Sequence, residues 1–150
     1  MKMLVCTDGS EQSQKALEKA VEIAGGCRVD QVSIINVFES KYDLSEATTD
    51  RAPLTQEDLK RFEKIGEQQR EERKTLLSEA AKLFEDNNIK VKTLLECGHP
   101  AETIAKVASE GNYDMIVIGS RGLGGFRKML LGSVSNAVLQ QAKSSVLVVK

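Results

Sequence analysis

The chain has 150 residues, 41% hydrophobic and 29% charged, with a formal net charge of −1. This is the composition of one folded domain with a proper core, and it excludes a disordered chain. The near-neutral balance leaves no electrostatic footprint for nucleic acid or an anionic membrane surface. No apolar stretch approaches the roughly eighteen residues of a membrane helix. The start, MKMLVCTDGS, lacks the apolar segment and cleavage site of a signal peptide, so the expected compartment is the cytoplasm.

Residues 3–6 predict a short buried strand, stopped by Thr7, Asp8, Gly9 and Ser10. Ala16, Leu17, Ala20, Val21, Ile23 and Ala24 then recur at helical spacing, and Gly25-Gly26 is expected to end that helix. QVSIINVF, residues 31–38, is a second strand. Residues 40–56 are polar with Pro53 among them and are expected to form a surface loop or lid. A long helical pattern runs from 57 to 86, with Leu59, Phe62, Leu76, Leu77, Ala80 and Phe84 as its apolar points. Its middle, EQQREERK, fits a solvated stretch with i,i+4 pairs, and Gly66 marks a candidate break. IKVKTLLE alternates as a third strand and leads into Cys97, Gly98, His99 and Pro100. Residues 101–109 form a short helix, DMIVIG a fourth strand, Val134, Ala137, Val138 and Leu139 a helix, and SVLVV a last strand. Strands alternating with helices predict a single-domain α/β fold: an open parallel five-stranded sheet with helices on both faces, spanning residues 1–150.

Cys6, Cys27 and Cys97 are odd in number and hold no C-x-x-C pair, so they are expected to be reduced thiols. The sole histidine, His99, has no partner at ligand spacing and no triad partners. A metal site built only from side chains is not expected.

Open α/β sheets bind ligands beyond the carboxyl ends of their strands, where the strand order reverses. The two chemically rich strand-end loops are Thr7-Asp8-Gly9-Ser10 and the stretch from Gly119 onward. The order 3-2-1-4-5 sets strands one and four side by side at the reversal, so that these loops face each other. The alternative order 2-1-3-4-5 would pair strands one and three. The two loops favour the first.

GSRGLGGFRKMLLGSVSNAV, starting at Gly119, reads either as a mobile loop with a helix cap at Ser133 or as a phosphate cradle. Glycine lets a ligand approach backbone N–H groups, and Gly132-Ser133 opens a helix whose dipole end suits an anion. Ser133 and Ser135 offer hydroxyls, and Arg121, Arg127 and Lys128 offer positive charge. The P-loop pattern fails because Gly124 is followed by Gly125 rather than lysine, and the dinucleotide fingerprint fails because position 127 is arginine.

MLVCTDGSEQSQKAL, GHPAETIAKVA followed by YDMIVIGSRG, and GSVSNAVLQQAKSSVLVVK together resemble the universal stress proteins. The match runs in order along nearly the whole chain, leaving mainly residues 40–75, which vary in that family. The spacing of Gly119, Gly122, Gly132 and Ser133 is similar to the motif of the ATP-binding branch, which members that do not bind ATP lack. The resemblance implies a Rossmann-like fold of the adenine nucleotide alpha hydrolase-like type. It further implies a triphosphate held around Gly119, Arg121, Gly122, Gly132, Ser133, Val134 and Ser135. Asp8 would contact the ribose or a phosphate-bound Mg²⁺ (or Mn²⁺), and Thr7 and Val37 would line the adenine pocket. Cys6 departs from the proline or alanine common at its position.

Read without the resemblance, Asp8 serves equally as a ligand residue or as a helix cap. A phosphoacceptor role is disfavoured, because a receiver domain needs more acids after strand one and an aspartate after strand three, where this chain has Glu96 and Cys97. Val146, Leu147, Val148 and Val149 form an apolar edge strand open to pairing, and the resemblance implies a homodimer joined antiparallel through it. The leading expectation is thus an ATP-binding, dimeric, nucleotide-dependent stress-response regulator and not an enzyme. Binding is expected to order the glycine loop for a protein partner. The alternatives are a slow ATPase or nucleotidyl-transfer enzyme using the same cleft, or an interaction module for AMP or another phosphate ligand.

Overall fold

A computed structural model describes residues 1–39, 55–123 and 131–150. Within these residues five strands and four helices alternate: β1 (Lys2–Cys6), α1 (Glu11–Gly26), β2 (Gln31–Phe38), α2 (Gln56–Glu85), β3 (Val91–Cys97), α3 (Pro100–Glu110), β4 (Met115–Gly119), α4 (Ser133–Gln141) and β5 (Ser145–Val149). All strand pairs are parallel, in the order β3-β2-β1-β4-β5.

The inner strands are apolar on both faces because both faces are covered. In β1, Met3 and Val5 pack with Ala16, Leu17 and Ala20 of α1 and with Leu77, Ala80 and Phe84 of α2. Leu4 and Cys6, pointing the other way, pack with Ala101, Ile104 and Ala108 of α3 and Val138 of α4. Each fully buried Leu, Ile or Phe adds about 1.5–3 kcal/mol of hydrophobic stabilisation. β1 therefore sits at the centre of two apolar layers.

α1 ends at Gly26, as expected, and the N–H of its C-cap residue, Cys27, donates to the Ile23 carbonyl. One helix feature differs from the sequence reading. α2 runs unbroken through Gly66. One interior glycine costs about 1 kcal/mol relative to alanine, and this helix offsets it with neighbours along its length. Thr55 and Asp58 form a capping box at its start, and the side chains of Lys74 and Gln68 reach Glu71 and Glu72. Residues 40–54 of the expected loop or lid, and Arg127 and Lys128, lie outside the described residues.

From β1 the chain proceeds outward to β2 and β3, then returns across the sheet to β4 and β5. The connections leaving β1 and β4 diverge at their carboxyl ends, which opens a crevice there.

Candidate functional site

The chain leaves β1 through a tightly bonded corner. The Thr7 N–H donates to the Ile35 carbonyl at 3.0 Å, and Gly9 takes φ +82°, a left-handed conformation that favours glycine. Ser10 caps α1, its Oγ accepting from the Ser13 N–H at 3.2 Å. Capping therefore belongs to Ser10, and Asp8 does something else. Its Oδ1 accepts from the Ser10 N–H at 3.0 Å and its Oδ2 from the Leu123 N–H at 3.2 Å. Asp8 thus ties the loop after β1 to the loop after β4.

The glycines of the second loop divide by what surrounds them. A methyl group on Gly119 would lie 2.7 Å from the backbone C and O of Gln12 and 2.8 Å from the Ser13 nitrogen. Glycine there lets the first turn of α1 rest against the end of β4. A methyl group on Gly122 would overlap Asp8 Oδ2, so this glycine makes room for the carboxylate. Gly132 is different. It has ordinary extended angles, φ −70° and ψ 161°, and an added methyl would meet Arg121 Cα at 3.4 Å and the Ser120 oxygen at 3.5 Å, normal contact distances. Nothing in the described protein requires glycine at position 132.

The Ser120 carbonyl anchors the start of α4, accepting from the Gly132 N–H at 2.7 Å and from Ser135 Oγ at 3.0 Å. The Ser135 hydroxyl is also 3.0 Å from the Gly132 carbonyl. Its proton is thus directed at backbone carbonyls, and it holds the loop to the helix. No side chain caps α4, so the N–H groups of its first turn, at Ser133, Val134 and Ser135, present the positive end of the helix dipole.

These elements enclose a cavity of about 500 Å³. Thr7, Asp8, Val37, Gly119, Arg121, Gly122, Gly132, Ser133, Val134 and Ser135 all line it. Cys6, Ile35, Ile118, Pro100, Ile104 and Leu131 are also in its wall. Toward β2 and α3 the wall is apolar, and toward α4 it is polar. The sequence reading missed Ile35, Ile118, Pro100 and Ile104; position signals Ile118, near the carboxyl end of β4, and Pro100, which opens α3, whereas Ile35 lies within β2 and Ile104 a turn into α3. His99 precedes α3 without capping it through its side chain.

Burial, reinforced by the nearby Asp8 charge, pushes the Cys6 thiol up to about 12, so it is neutral and un-nucleophilic at physiological pH. Cys27 and Cys97 are exposed. Disulfide-exchange labelling of the native protein at pH 8 is expected to modify Cys27 and Cys97 readily and Cys6 only after unfolding. Rapid native labelling of Cys6, read by mass spectrometry, would show that the cavity floor is open. Among the described residues no group of three or more His, Cys, Asp or Glu side chains could hold a metal ion, and no helix is long and apolar enough to cross a membrane.

An open parallel sheet in this order, with a cavity at its reversal point, defines a Rossmann-like α/β domain. The family model of the universal stress proteins matches residues 1–150, and the chain belongs to that family. It is 32% identical over 149 residues to the universal stress protein YxiE of Bacillus subtilis, covering 99% of this chain and 98% of the relative. It is also 32% identical over 154 residues to the universal stress protein MJ0577 of Methanocaldococcus jannaschii, covering 99% and 94%. The solved structure of MJ0577 superposes with a TM-score of 0.81, covering 99% of this chain and 94% of that one at 28% identity. Two further universal stress proteins of the same fold, each 22% identical, were solved with nucleotides. One, from Archaeoglobus fulgidus, contains dAMP (TM-score 0.67, covering 100% and 98%), and the other contains cAMP (TM-score 0.66, covering 100% and 96%).

Proposed function

We propose that this universal stress protein binds ATP with Mg²⁺ in the strand-end cavity and acts as a nucleotide-dependent regulator. Gly132 carries the proposal. It is a glycine that the surrounding protein does not require, at the uncapped start of α4, on the cavity wall. A phosphate drawn against the first N–H groups of α4 would occupy the space a side chain would fill. Arg121 supplies positive charge on the same wall, and the apolar side toward Ile35, Val37 and Ile104 suits an adenine ring. The dAMP and cAMP held by two relatives support an adenine ligand.

Mg²⁺ would ride on the phosphates, with most of its shell left to water and phosphate oxygens. Asp8 is the only carboxylate among the described lining residues and is the protein group placed to approach it. We read the site as one for binding and not for turnover. The Cys6 thiol is held neutral, which leaves no nucleophilic thiol among the described lining residues. The apolar edge strand β5, half-buried from Val146 to Val149, supports a homodimer paired through that edge, and a cytoplasmic location is proposed with it. Isothermal calorimetry with ATP and Mg²⁺ is expected to show saturable binding. No heat at millimolar nucleotide, together with no nucleotide retained through purification, would overturn the reading.

A further inference from the structure

Asn36 is a fully buried amide in β2, and it has two partners. Its Nδ2 donates to the Thr7 carbonyl at 2.7 Å, and its Oδ1 accepts from Nη1 of Arg73 on α2 at 3.1 Å. Cys6, paired with Ile35, is the last β1 residue in register with β2. The Asn36 side chain therefore takes up the Thr7 carbonyl where the ladder stops, one residue before Asp8. The chemistry of this link is restrictive. A guanidinium can only donate and a carbonyl can only accept, so the bridging group needs one acceptor and one donor, which an amide supplies. The Arg73 guanidinium also lies 5.3 Å from the centre of the Phe38 ring, with Arg70 over the same ring at 5.7 Å.

We infer that Arg73, acting through Asn36, is a positioning residue of the cavity, holding the Thr7-Asp8 corner from the opposite face of the sheet. Arg73 comes from α2, which packs on the α1 side, whereas the cavity opens toward α3 and α4. The chain of contacts runs from Arg73 to Asn36 to Thr7, and Asp8 carries it on to Leu123 in the second loop. Helix α2 thereby has a direct mechanical hold on the wall of the cavity. As a statement about ligand affinity, the inference rests on the nucleotide reading above.

The test compares wild-type protein with Arg73→Leu, Arg73→Lys and Arg70→Leu by amide hydrogen exchange and by calorimetry with Mg²⁺ and ATP. Arg70→Leu removes the other cation over Phe38 but leaves the hydrogen bond to Asn36. In Arg73→Leu the Thr7 and Ser10 amides are expected to exchange about tenfold faster, with Val117 in β4 unchanged, and ATP affinity to fall about fivefold. Arg73→Lys, which keeps a donor, is expected to recover part of both effects, and Arg70→Leu to match wild type. Unchanged Thr7 and Ser10 exchange in Arg73→Leu, or an equal effect in Arg70→Leu, would overturn the inference. Faster exchange in Arg73→Leu, in a protein whose wild type binds no ATP, upholds the anchor and removes the nucleotide reading instead.

Discussion

Gly132→Val is expected to weaken Mg²⁺–ATP binding by more than about 100-fold, equivalent to about 2.7 kcal/mol, while leaving the thermal midpoint within about 3 °C of wild type. The two halves of this result have separate causes. Position 132 has extended angles that valine adopts readily, and a Cβ there meets its neighbours at 3.4 Å or more. Reduced freedom of the unfolded chain favours the substitution by a fraction of a kcal/mol, and loss of a tolerated N-cap glycine costs a comparable amount. Binding has no such offset. A branched side chain at the cavity wall would push a phosphate away from the first turn of α4, and each charge-assisted hydrogen bond lost there is worth about 1.5–3 kcal/mol. Calorimetry and a melting curve on the same preparation decide the matter. Wild-type affinity in Gly132→Val would mean that phosphate does not sit at α4, and a collapse in the melting temperature would mean that glycine 132 is structural after all. Gly132→Ala should fall between wild type and valine in affinity.

How far the sequence foretold this site depends on whether the determining partner lies nearby along the chain. The strands were legible because a parallel strand buried on both faces is an unbroken apolar run, as in MLVC and MIVIG. The strand order was legible from chemistry, since two polar strand-end loops make sense only where they face each other. The division of labour among the glycines was not legible. Gly119, Gly122 and Gly132 look alike in sequence, yet Gly119 is set against Gln12 of α1 and Gly122 against Asp8, while Gly132 meets Arg121, Ser120 and Ser135 only at ordinary contact distances.

The same limit explains the other differences. Asp8 reads in sequence as a ligand residue or a helix cap, and only the geometry of α1 assigns the capping role to Ser10. Gly66 breaks no helix because a capping box before it and side-chain pairs after it hold α2 together, which offsets its low propensity. The role of Asn36 was not legible in the sequence, because its partner Arg73 is 37 positions away. The Ser135 hydroxyl donates to a carbonyl fifteen positions earlier, a partner that helical spacing does not reveal. The sequence thus locates the cavity better than it distinguishes the residues that face it from those that support its wall.

Gly119→Ala should invert the behaviour of Gly132→Val: a loss of stability of about 1–3 kcal/mol, seen as a fall of roughly 3–10 °C in the thermal midpoint. The added methyl group would lie 2.7 Å from the Gln12 carbonyl carbon and oxygen and 2.8 Å from the Ser13 nitrogen. All three are backbone atoms in the first turn of a helix, so no side chain can swing aside. Relief requires α1 to move off β4, and α1 carries Ala16, Leu17 and Ala20 into the core beneath β1. The movement would also disturb Ser10 and Ser13, which brace Thr7 and the second loop through the Thr7 and Ser13 hydroxyls and the Arg121 carbonyl. Affinity for nucleotide should therefore fall along with stability in Gly119→Ala, whereas it falls alone in Gly132→Val. Urea denaturation gives the stability and calorimetry the affinity. An alanine variant as stable as wild type would show that α1 is not held against Gly119 in solution, which would detach the first loop from the second and with it the enclosed cavity.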